Sequence, residues 1–468
     1  MDFRREALAD LATGVRSGRR SARELVTHAL ERIEALNPQV NAFVAVDADG
    51  ALEQAARIDT AVTEGDDPGP LAGIPIGVKD LDDAAGFVTS KGSAVFAGGP
   101  AAVGDSPLVA RLRAAGCVVV GKTNTPELGW KADTDNITFG PTSNPWNLAY
   151  SPGGSSGGAG AAIASGMVPL ATGSDGGGSI RIPSSCCGLS GIKPSLGRVP
   201  SGGDHGSDWP DLSTKGPMAR RVADVVTALD VVVGPDPTDI FSLPRPEASW
   251  LAALEGAQLP TKVAWSPTLG YAPLDDEVRA LCEDAVGRLK ALGTEVIEIE
   301  VVFDEDPVRD WLTLAVAYNW RTLAPYRNTE MWDRVDPLLA AQIDWAAEHL
   351  SALDIVAAQA ACHRLNLRMV ELFRDVRLLL TPTCAGSPPP RSLEGQGLIN
   401  GEVEANWARF TYPFNMTRSP AASVCTGLTS NGLPVGIQLV GPQHGDLVVI
   451  RSAAALEAAI GFDDVAPI

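Results

Sequence analysis

Two short stretches rich in glycine and serine carry the residues of this chain that are best suited to chemistry. Residues 153–158 read GGSSGG and include Ser155, and residues 176–181 read GGGSIR and include Ser179. Because glycine has no Cβ, such a run lets the backbone approach a ligand and point consecutive N–H groups at one place. Donors arranged in this way stabilise the oxyanion that forms when a nucleophile attacks a carbonyl carbon. Ser179, at the end of its glycine run, is placed to be that nucleophile.

A serine hydroxyl needs a base to accept its proton before it can attack. None of the five histidines stands in a recognisable catalytic context; they are His28, His205, His349, His363 and His444. A lysine can act instead if burial lowers its pKa towards neutrality. Lys79 ends the apolar run IPIGVK, which is able to bury it. A lysine after a strand is usually solvated, so the prediction of Lys79 as the base depends on its combination with both serine stretches.

Apolar strands that alternate with helices are predicted to position these residues. Residues 74–79 and 118–120 are typical of short buried strands, and a helix is predicted over 108–115 between them. This alternation indicates a sheet with substantial parallel pairing. Residues 140–160 and 168–206 are rich in Gly, Ser and Pro. They are predicted to be mostly loops, and loops this long usually carry a functional site.

The second half of the chain has a more regular pattern, with a βαβ-like run and a hairpin signal at Asn431-Gly432. The predicted elements are a helix over 218–233, a strand over 262–265, a helix over 275–292, a strand over 295–301, helices within 307–376, a hairpin over 422–440 and a helix over 446–459. Six aromatic residues of the helical segment are candidates for lining a substrate pocket: Trp311, Tyr318, Trp320, Tyr326, Trp332 and Trp345.

The formal net charge of −20 argues against a polyanionic partner. Nucleic-acid binding depends on Lys and Arg at the phosphates, so neither nucleic acid nor an anionic membrane is expected as a partner. No apolar run approaches the roughly 18 residues that a membrane span requires. The seven cysteines lack the spacing of a zinc site or a disulfide framework, which predicts free thiols in a cytoplasmic protein. No nucleotide-binding motif is present, so no cofactor or metal is expected.

The dense run of motifs between residues 70 and 200 resembles the amidase signature family. The matching text is PLAGIPIGVKD, GKTNTPELG, FGPTSNPWN, SPGGSSGGAGAAIASG and ATGSDGGGSIRIPSSCCGLSGIKPSLGRVP, followed later by FNMTRSPAASV and GLPVGIQLVG. The resemblance implies an α/β fold, a single large α/β/α domain over 1–468 with a mixed, mostly parallel central sheet flanked by helices. Within it, a signature core over about 70–200 would be followed by a helical substrate-pocket region over about 300–376 and a C-terminal sheet and helix over 377–468.

The resemblance also implies a Ser–cis-Ser–Lys triad. Ser179 matches the nucleophile, Ser155 the bridging serine that follows a cis peptide bond, and Lys79 the base. Neutral Lys79 would take a proton from Ser155, which would take one from Ser179 as the latter attacks the amide carbon. Ser155 would then protonate the leaving amine, and water would hydrolyse the acyl-enzyme.

The loop before the nucleophile is implied to hold the oxyanion through backbone N–H groups. The implied donors are those of Gly176, Gly177, Gly178 and Ser179, and the implied structural partners of the loop are Asp175 and Arg181.

Four positions depart from the family pattern. Gly176 stands where Thr or Ile is common, and Ser174 where Thr is common. These two departures are expected to loosen or reshape the oxyanion loop. Arg418 and Cys425 replace a usual Gly and Pro. Arg418 is expected near the pocket, where it would alter substrate preference.

The reaction implied is hydrolysis of the C–N bond of a small amide. A neutral aryl or alkyl amide is favoured, because aromatic residues are frequent over 307–350 and no cluster suited to a charged group is evident. Esters and carbamates (urethanes) share the oxyanion geometry and stay open as substrates. The chain is expected to act as a monomer or homodimer on a small-molecule substrate.

The sequence fits three other functions less well. Residues 153–157 also fit the G-x-S-x-G elbow of α/β-hydrolases, but that motif must follow a buried strand and the preceding text is turn-like. The same amidase family includes the amidase subunit of the glutamine-dependent tRNA amidotransferase, which is the alternative function. A non-catalytic binding relative is disfavoured because Lys79, Ser155 and Ser179 are all present.

Overall fold

The computed structural model describes residues 1–203 and 208–468, and it is built on a mixed sheet of 11 strands. One of the histidines named above, His205, lies outside the described residues. The strands are β1 (Phe43–Val46), β2 (Pro75–Lys79), β3 (Val118–Thr123), β4 (Leu170–Asp175), β5 (Ser190–Lys193), β6 (Thr214–Ala219), β7 (Lys262–Trp265), β8 (Glu295–Glu298), β9 (Leu379–Pro382), β10 (Gly397–Ile399), β11 (Glu402–Glu404), β12 (Ala421–Leu428) and β13 (Pro434–Val440).

Helices flank this sheet, as predicted for an α/β fold. They are α1 (Leu8–Arg16), α2 (Ala22–Val40), α3 (Ala48–Glu64), α4 (Pro107–Ala114), α5 (Gly157–Ala164), α6 (Arg181–Cys187), α7 (Val222–Val232), α8 (Asp276–Ala291), α9 (Val308–Leu323), α10 (Pro337–His349), α11 (Ala352–Asp375), α12 (Pro413–Met416) and α13 (Asp446–Ile460). Within the described residues, no helix is both long and apolar enough to cross a bilayer.

The strand order is β1-β3-β2-β4-β6-β5-β12-β13-β9-β7-β8, with β10 and β11 forming a separate ribbon. The sheet is mixed, as predicted, but parallel pairing does not predominate. In the described sheet, parallel pairs join β2 to β3 and β4, and β7 to β8 and β9. The other neighbouring pairs are antiparallel. The cause lies in the middle of the sheet, where β6, β5 and the β12–β13 hairpin all pair antiparallel.

The region predicted to be a long loop, residues 168–206, contains β4, α6 and β5. Its strands escape pattern recognition because they are short and hold glycine and polar residues; β4 reads LATGSD. All six residues of β4 are nevertheless buried. This difference changes the predicted secondary structure but not the position of the two serines, which still lie in the turns before α5 and α6.

Parallel pairing of β2 with β4 determines where the chemistry lies. Ile76 pairs with Leu170, so the two strands run together and their carboxyl ends meet at one edge of the sheet. Lys79 is the last residue of β2, and Asp175 is the last residue of β4. Side chains and loops at the carboxyl ends of adjacent parallel strands are close in space, which is the usual place for a site in such a sheet.

The interior of the sheet gives a test of the fold. Leu439, in β13, is fully buried between strands β12 and β9. Because truncation leaves a cavity, we expect Leu439→Ala to destabilise the protein by about 2–5 kcal/mol. Differential scanning calorimetry measures the effect. Leu447→Ala is the matched control, since that leucine of α13 is 40% exposed. Equal losses in melting temperature for the two variants would contradict the assignment.

Candidate active site

The side chain of Lys79 lies in the protein interior and is completely inaccessible to solvent. Its Nζ atom is 2.8 Å from Ser155 Oγ, 2.8 Å from Ser156 Oγ and 3.0 Å from Ser174 Oγ. No carboxylate makes an ion pair with it among the described residues. The amine therefore faces three neutral hydroxyls in place of water.

Burial lowers the pKa of Lys79 to about 7, with a smaller contribution from the nearby positive charge of Lys215. Asp82 and Asp175 act in the opposite direction but do not compensate. One reason is that Asp82 forms its own ion pair with Lys215, with Nζ 2.6 Å from Oδ1. Lys79 is therefore a base that is substantially uncharged near neutral pH, as general-base chemistry requires.

Ser155 lies directly after a cis peptide bond between Gly154 and Ser155. The chain is tightly packed here, because a Cβ on Gly154 would lie 2.6 Å from the backbone nitrogen of Asp133. Only glycine fits before Ser155. The structure thus shows the cis bond that the family resemblance implied and places the hydroxyl of Ser155 against the lysine amine.

Ser179 lies in the turn before α6 and is half-buried, with its side chain bordering the same cavity as Ser155. Its carbonyl oxygen accepts a hydrogen bond from the Ser156 N–H, which ties the two glycine–serine stretches together at 3.3 Å. No hydrogen bond joins the hydroxyls of Ser155 and Ser179 in the described part of the chain. The structure therefore brings Lys79 and Ser155 within hydrogen-bonding distance, and brings Ser179 to the same cavity without a hydrogen bond between the two serine hydroxyls. Such bonds commonly tighten only when substrate is bound.

The glycine loop before Ser179 is held by its own backbone. The Gly178 N–H donates to Asp175 Oδ1 at 2.8 Å and is thus already occupied. No hydrogen bond in the described residues uses the N–H of Gly176, Gly177 or Ser179, and all three residues border the cavity. The donors available to an oxyanion are therefore better represented by Gly177 and Ser179 than by Gly178.

Asp175 and Arg181 form a fully buried ion pair below this loop. Arg181 Nη2 is 2.7 Å from Asp175 Oδ1, and both side chains are inaccessible to solvent. Asn415 donates to Asp175, and Gln438 accepts from Arg181, so the remaining polar atoms are also bonded. Burial alone raises the pKa of Asp175, but the Arg181 charge outweighs it and holds that pKa well below the usual range. Asp175 is thus an ionised anchor for the loop.

A cavity of about 460 Å³ opens in front of Ser155 and Ser179. Its wall is mostly apolar and aromatic, with Leu81, Leu128, Trp130, Trp209, Trp311, Trp407 and Tyr412 among its residues. Helices α9 and α10 supply Val308, Trp311, Leu312, Leu338 and Gln342 to it. The cavity can therefore enclose a small, largely apolar molecule next to the serines.

Of the six aromatic residues proposed from the sequence, only Trp311 borders this cavity among the described residues. Tyr318 stacks on Trp209 with ring centroids 6.5 Å apart. Three others pack in a separate apolar cluster, Trp320, Tyr326 and Trp332. Trp345 is 56% exposed. Helical spacing alone did not distinguish pocket from core.

Arg418 does not border the cavity in front of the serines, contrary to expectation. It lines a separate cavity of about 180 Å³, and its guanidinium lies 5.6 Å from the ring centroid of Phe241. Its φ angle of 59° is in the left-handed region that favours glycine, which accounts for the usual glycine at this position. Cys425 is buried in β12 and also lies away from the cavity.

Sequence reasoning missed two neighbours of the lysine amine, Ser156 and Ser174. Ser156 was within the quoted motif, and Ser174 was noted only as a departure from the family pattern. The signal that identifies Ser174 is its place in β4, which pairs parallel with β2 and so runs beside Lys79. Without the pairing of the strands, that proximity is not visible.

Residues 24–449 match the family model described as Amidase. An acylamidase from Rhodococcus erythropolis is 37% identical over 98% of this chain and 96% of its own length. The chain belongs to the amidase signature family. The crystal structure of a bacterial aryl acylamidase of that family aligns with this amidase at a TM-score of 0.91 and 32% identity, covering 97% of this chain and 96% of the other. A 6-aminohexanoate-cyclic-dimer hydrolase from Pseudomonas sp. (strain NK87) is 34% identical over 95% of this chain and 93% of its own.

These likenesses extend over nearly the whole chain, so this amidase is an amide-hydrolysing enzyme. The known mechanism of the family uses a Ser–cis-Ser–Lys triad. In this chain the Lys79 amine lies 2.8 Å from the hydroxyl of Ser155, the serine that follows a cis peptide bond.

Loss of the buried ion pair is expected to destabilise this amidase. Arg181→Met leaves Asp175 charged and unpaired in the interior, so we expect a loss of about 3–5 kcal/mol. Thermal unfolding followed by calorimetry gives the shift. Arg288→Met is the control, since that arginine pairs with Asp284 on the surface and such pairs contribute about 1 kcal/mol or less. A loss no larger than that of the control would show that the pair is not an anchor.

Proposed function

We propose that this amidase cleaves the C–N bond of small neutral aryl or alkyl amides through an acyl-enzyme on Ser179. The observation that carries the proposal is the buried, weakly basic Lys79 at 2.8 Å from Ser155, beside an apolar cavity that Ser179 also borders. An uncharged amine can accept a proton from Ser155, and a serine hydroxyl becomes an effective nucleophile only when such a base accepts its proton.

The first step is acylation of Ser179. Ser155 passes its proton to Lys79 and takes the proton of Ser179 while Ser179 Oγ bonds to the amide carbon. The carbonyl oxygen becomes an oxyanion at the N–H groups of Gly177 and Ser179, where fixed donors lower the barrier. Ser155 then gives a proton to the amine nitrogen as the C–N bond breaks, and regains one from Lys79. Water, activated by the same relay, releases the acid.

Three of the four charged residues at the cavity wall are paired, which favours a neutral substrate; the fourth, Glu394, is exposed and forms no salt bridge within the described residues. Lys215 is paired with Asp82, and Asp208 is paired with Lys91 at 2.9 Å. Lys131 lies 3.8 Å from a carboxylate oxygen of Asp135. Charges that already have partners have little to gain from a charged substrate, because burying them further requires desolvation. The aryl preference is supported by the four tryptophans of the wall and by the similarity of this chain to an acylamidase and to a bacterial aryl acylamidase.

Esters and carbamates share the tetrahedral oxyanion and are further candidate substrates. The alternative, an amidase subunit of a tRNA amidotransferase, is not favoured. We propose a cytoplasmic monomer or homodimer acting without a partner protein. The purified chain alone, tested on anilides, aliphatic amides, carbamates and esters, separates these functions. Turnover that appears only with glutamine and added partner subunits would support the amidotransferase function instead.

The proposed base gives a definite pH dependence. The pKa of Lys79 is lowered to about 7, and only the deprotonated amine accepts a proton. We therefore expect kcat/KM to rise with pH, tenfold per unit below about pH 6, and to level off above about pH 8. Initial rates with 4-nitroacetanilide over pH 5–9 measure this profile. A rate that does not change over this range would exclude Lys79 as the base.

Covalent labelling identifies the nucleophile independently of the substrate. The attacking serine bonds to the phosphorus of a fluorophosphonate and displaces fluoride. Intact-mass spectrometry should therefore show one added phosphonyl group in the wild type. Ser179→Ala should show none. Ser165→Ala is the matched control, since the hydroxyl of Ser165 is buried at the end of α5, bonded to Ala161 and away from the cavity. Labelling that survives in Ser179→Ala at the wild-type rate would place the nucleophile elsewhere.

A further inference from the structure

The oxyanion loop is covered by two tryptophan side chains that come from outside the signature core. Trp311, in α9, donates its Nε1–H to the carbonyl oxygen of Gly176 at 3.0 Å. Its ring lies against the next residue, because a Cβ on Gly177 would be 2.4 Å from Trp311 Cζ2. Trp209 covers the other side, since a Cβ on Gly176 would be 2.7 Å from Trp209 Cε3.

Each of these rings is itself held in place. Trp311 stacks on Tyr412 with centroids 5.2 Å apart and planes 23° apart. Trp209 donates its Nε1–H to Asn319 at 3.1 Å and meets Trp311 edge to face. Offset and edge-to-face pairs are the favoured arrangements of aromatic rings. The loop therefore rests on a fixed aromatic support, to which α9 contributes Trp311 and the Asn319 that holds Trp209.

The bond to the Gly176 carbonyl sets the direction of one particular donor. The peptide between Gly176 and Gly177 is trans, since the cis bond of the described chain is at Gly154. In a trans peptide the C=O and the next N–H point in opposite directions. A donor that holds the Gly176 oxygen therefore directs the Gly177 N–H the other way. The following peptide is held separately, by Thr411 at the Gly177 oxygen and by Asp175 at the Gly178 N–H.

We infer that Trp311 is a positioning residue of this amidase, which fixes the Gly177 N–H as an oxyanion donor. Position 176 is glycine because Trp209 occupies the space that a side chain would need. The inference rests on the proposed function, since an oxyanion forms only if Ser179 attacks a carbonyl. It also explains the departure from the family pattern at Gly176: the loop is not loosened by the glycine but is packed against an aromatic ring.

The first test removes the N–H and keeps the ring. Trp311→Phe retains the stacking on Tyr412 and loses the bond to Gly176. Loss of a whole oxyanion donor reduces kcat by about 10²–10³, so misdirection of one should reduce it at least about tenfold. The rate constant for labelling by a fluorophosphonate, whose phosphoryl oxygen takes the oxyanion position, should fall by a similar factor. With 4-nitroacetanilide, kcat should fall while KM changes less than threefold.

The control and the pH profile separate positioning from a general loss of structure. Trp146→Phe removes the same kind of bond, from indole N–H to the Cys187 carbonyl at 2.9 Å, away from the cavity. It should label at the wild-type rate. The midpoint of the pH profile in Trp311→Phe should stay near that of the wild type, because Lys79 is untouched. A labelling rate in Trp311→Phe within twofold of the Trp146→Phe control overturns the inference.

A second pair of variants tests the space at Gly176. Gly176→Ala places a methyl group against Trp209 and should slow labelling at least about tenfold. Adding Trp209→Leu makes room, so the double variant should label faster than Gly176→Ala alone. Full labelling of Gly176→Ala, or no recovery in the double variant, contradicts the account. If Ser179→Ala keeps its activity, the proposed function fails; if only Ser179→Ala is inactive, the role of Trp311 fails by itself.

Discussion

Burial of one amine without a counter-charge is the constraint on which the rest of this structure depends. A lysine in water is an ammonium ion and accepts no proton, and a lysine beside a carboxylate is held in that state. Neither condition applies to Lys79. It is enclosed at the end of a buried strand, and the nearby carboxylate of Asp82 forms its ion pair with Lys215. The place lies where two strands run parallel and side by side, since β2 and β4 pair in this way.

The opposite electrostatic solution is found on the adjacent strand of the sheet. Asp175, at the end of the neighbouring strand, is equally buried but fully ionised, because Arg181 and several neutral donors compensate its charge. The two residues illustrate how one interior holds a neutral base and a charged anchor. The difference comes from the partners each group is given, not from depth in the protein. An anchored loop keeps its donors in place during turnover, and an uncharged amine stays available as a base.

The sequence allowed much of this to be predicted. The triad residues were predicted from two glycine–serine stretches, one strand-ending lysine and a specific family resemblance, and the structure places Lys79 against Ser155. The βαβ run from β7 to β8 and the β12–β13 hairpin were visible from apolar periodicity and turn residues. Strands β4, β5 and β6 were not, because a strand buried on all sides in this fold tolerates Gly, Pro and Ser where packing is tight. The antiparallel pairing at the centre of the sheet could not be predicted either, because these strands form it.

The contacts of the two tryptophans with the oxyanion loop could not be predicted. Nothing in the spacing of Trp209 or Trp311 shows that these rings meet over Gly176 and Gly177. Nor did helical periodicity distinguish Trp311, at the cavity, from Trp320, in a separate cluster. Residues far apart in sequence meet only through the fold, and a single sequence contains no direct record of that meeting.

The three hydroxyls around Lys79 also bear on the moment after a proton has arrived. An ammonium group has three N–H bonds, and the oxygens of Ser155, Ser156 and Ser174 are three acceptors at hydrogen-bonding distance. The positive charge that the proposed relay places on Lys79, in acylation and again in deacylation, would thus be solvated by the protein itself. Dissolved ions screen charges at the surface far more than charges held inside. We therefore expect the proposed proton transfer to depend less on ionic strength than a transfer between groups at the surface would.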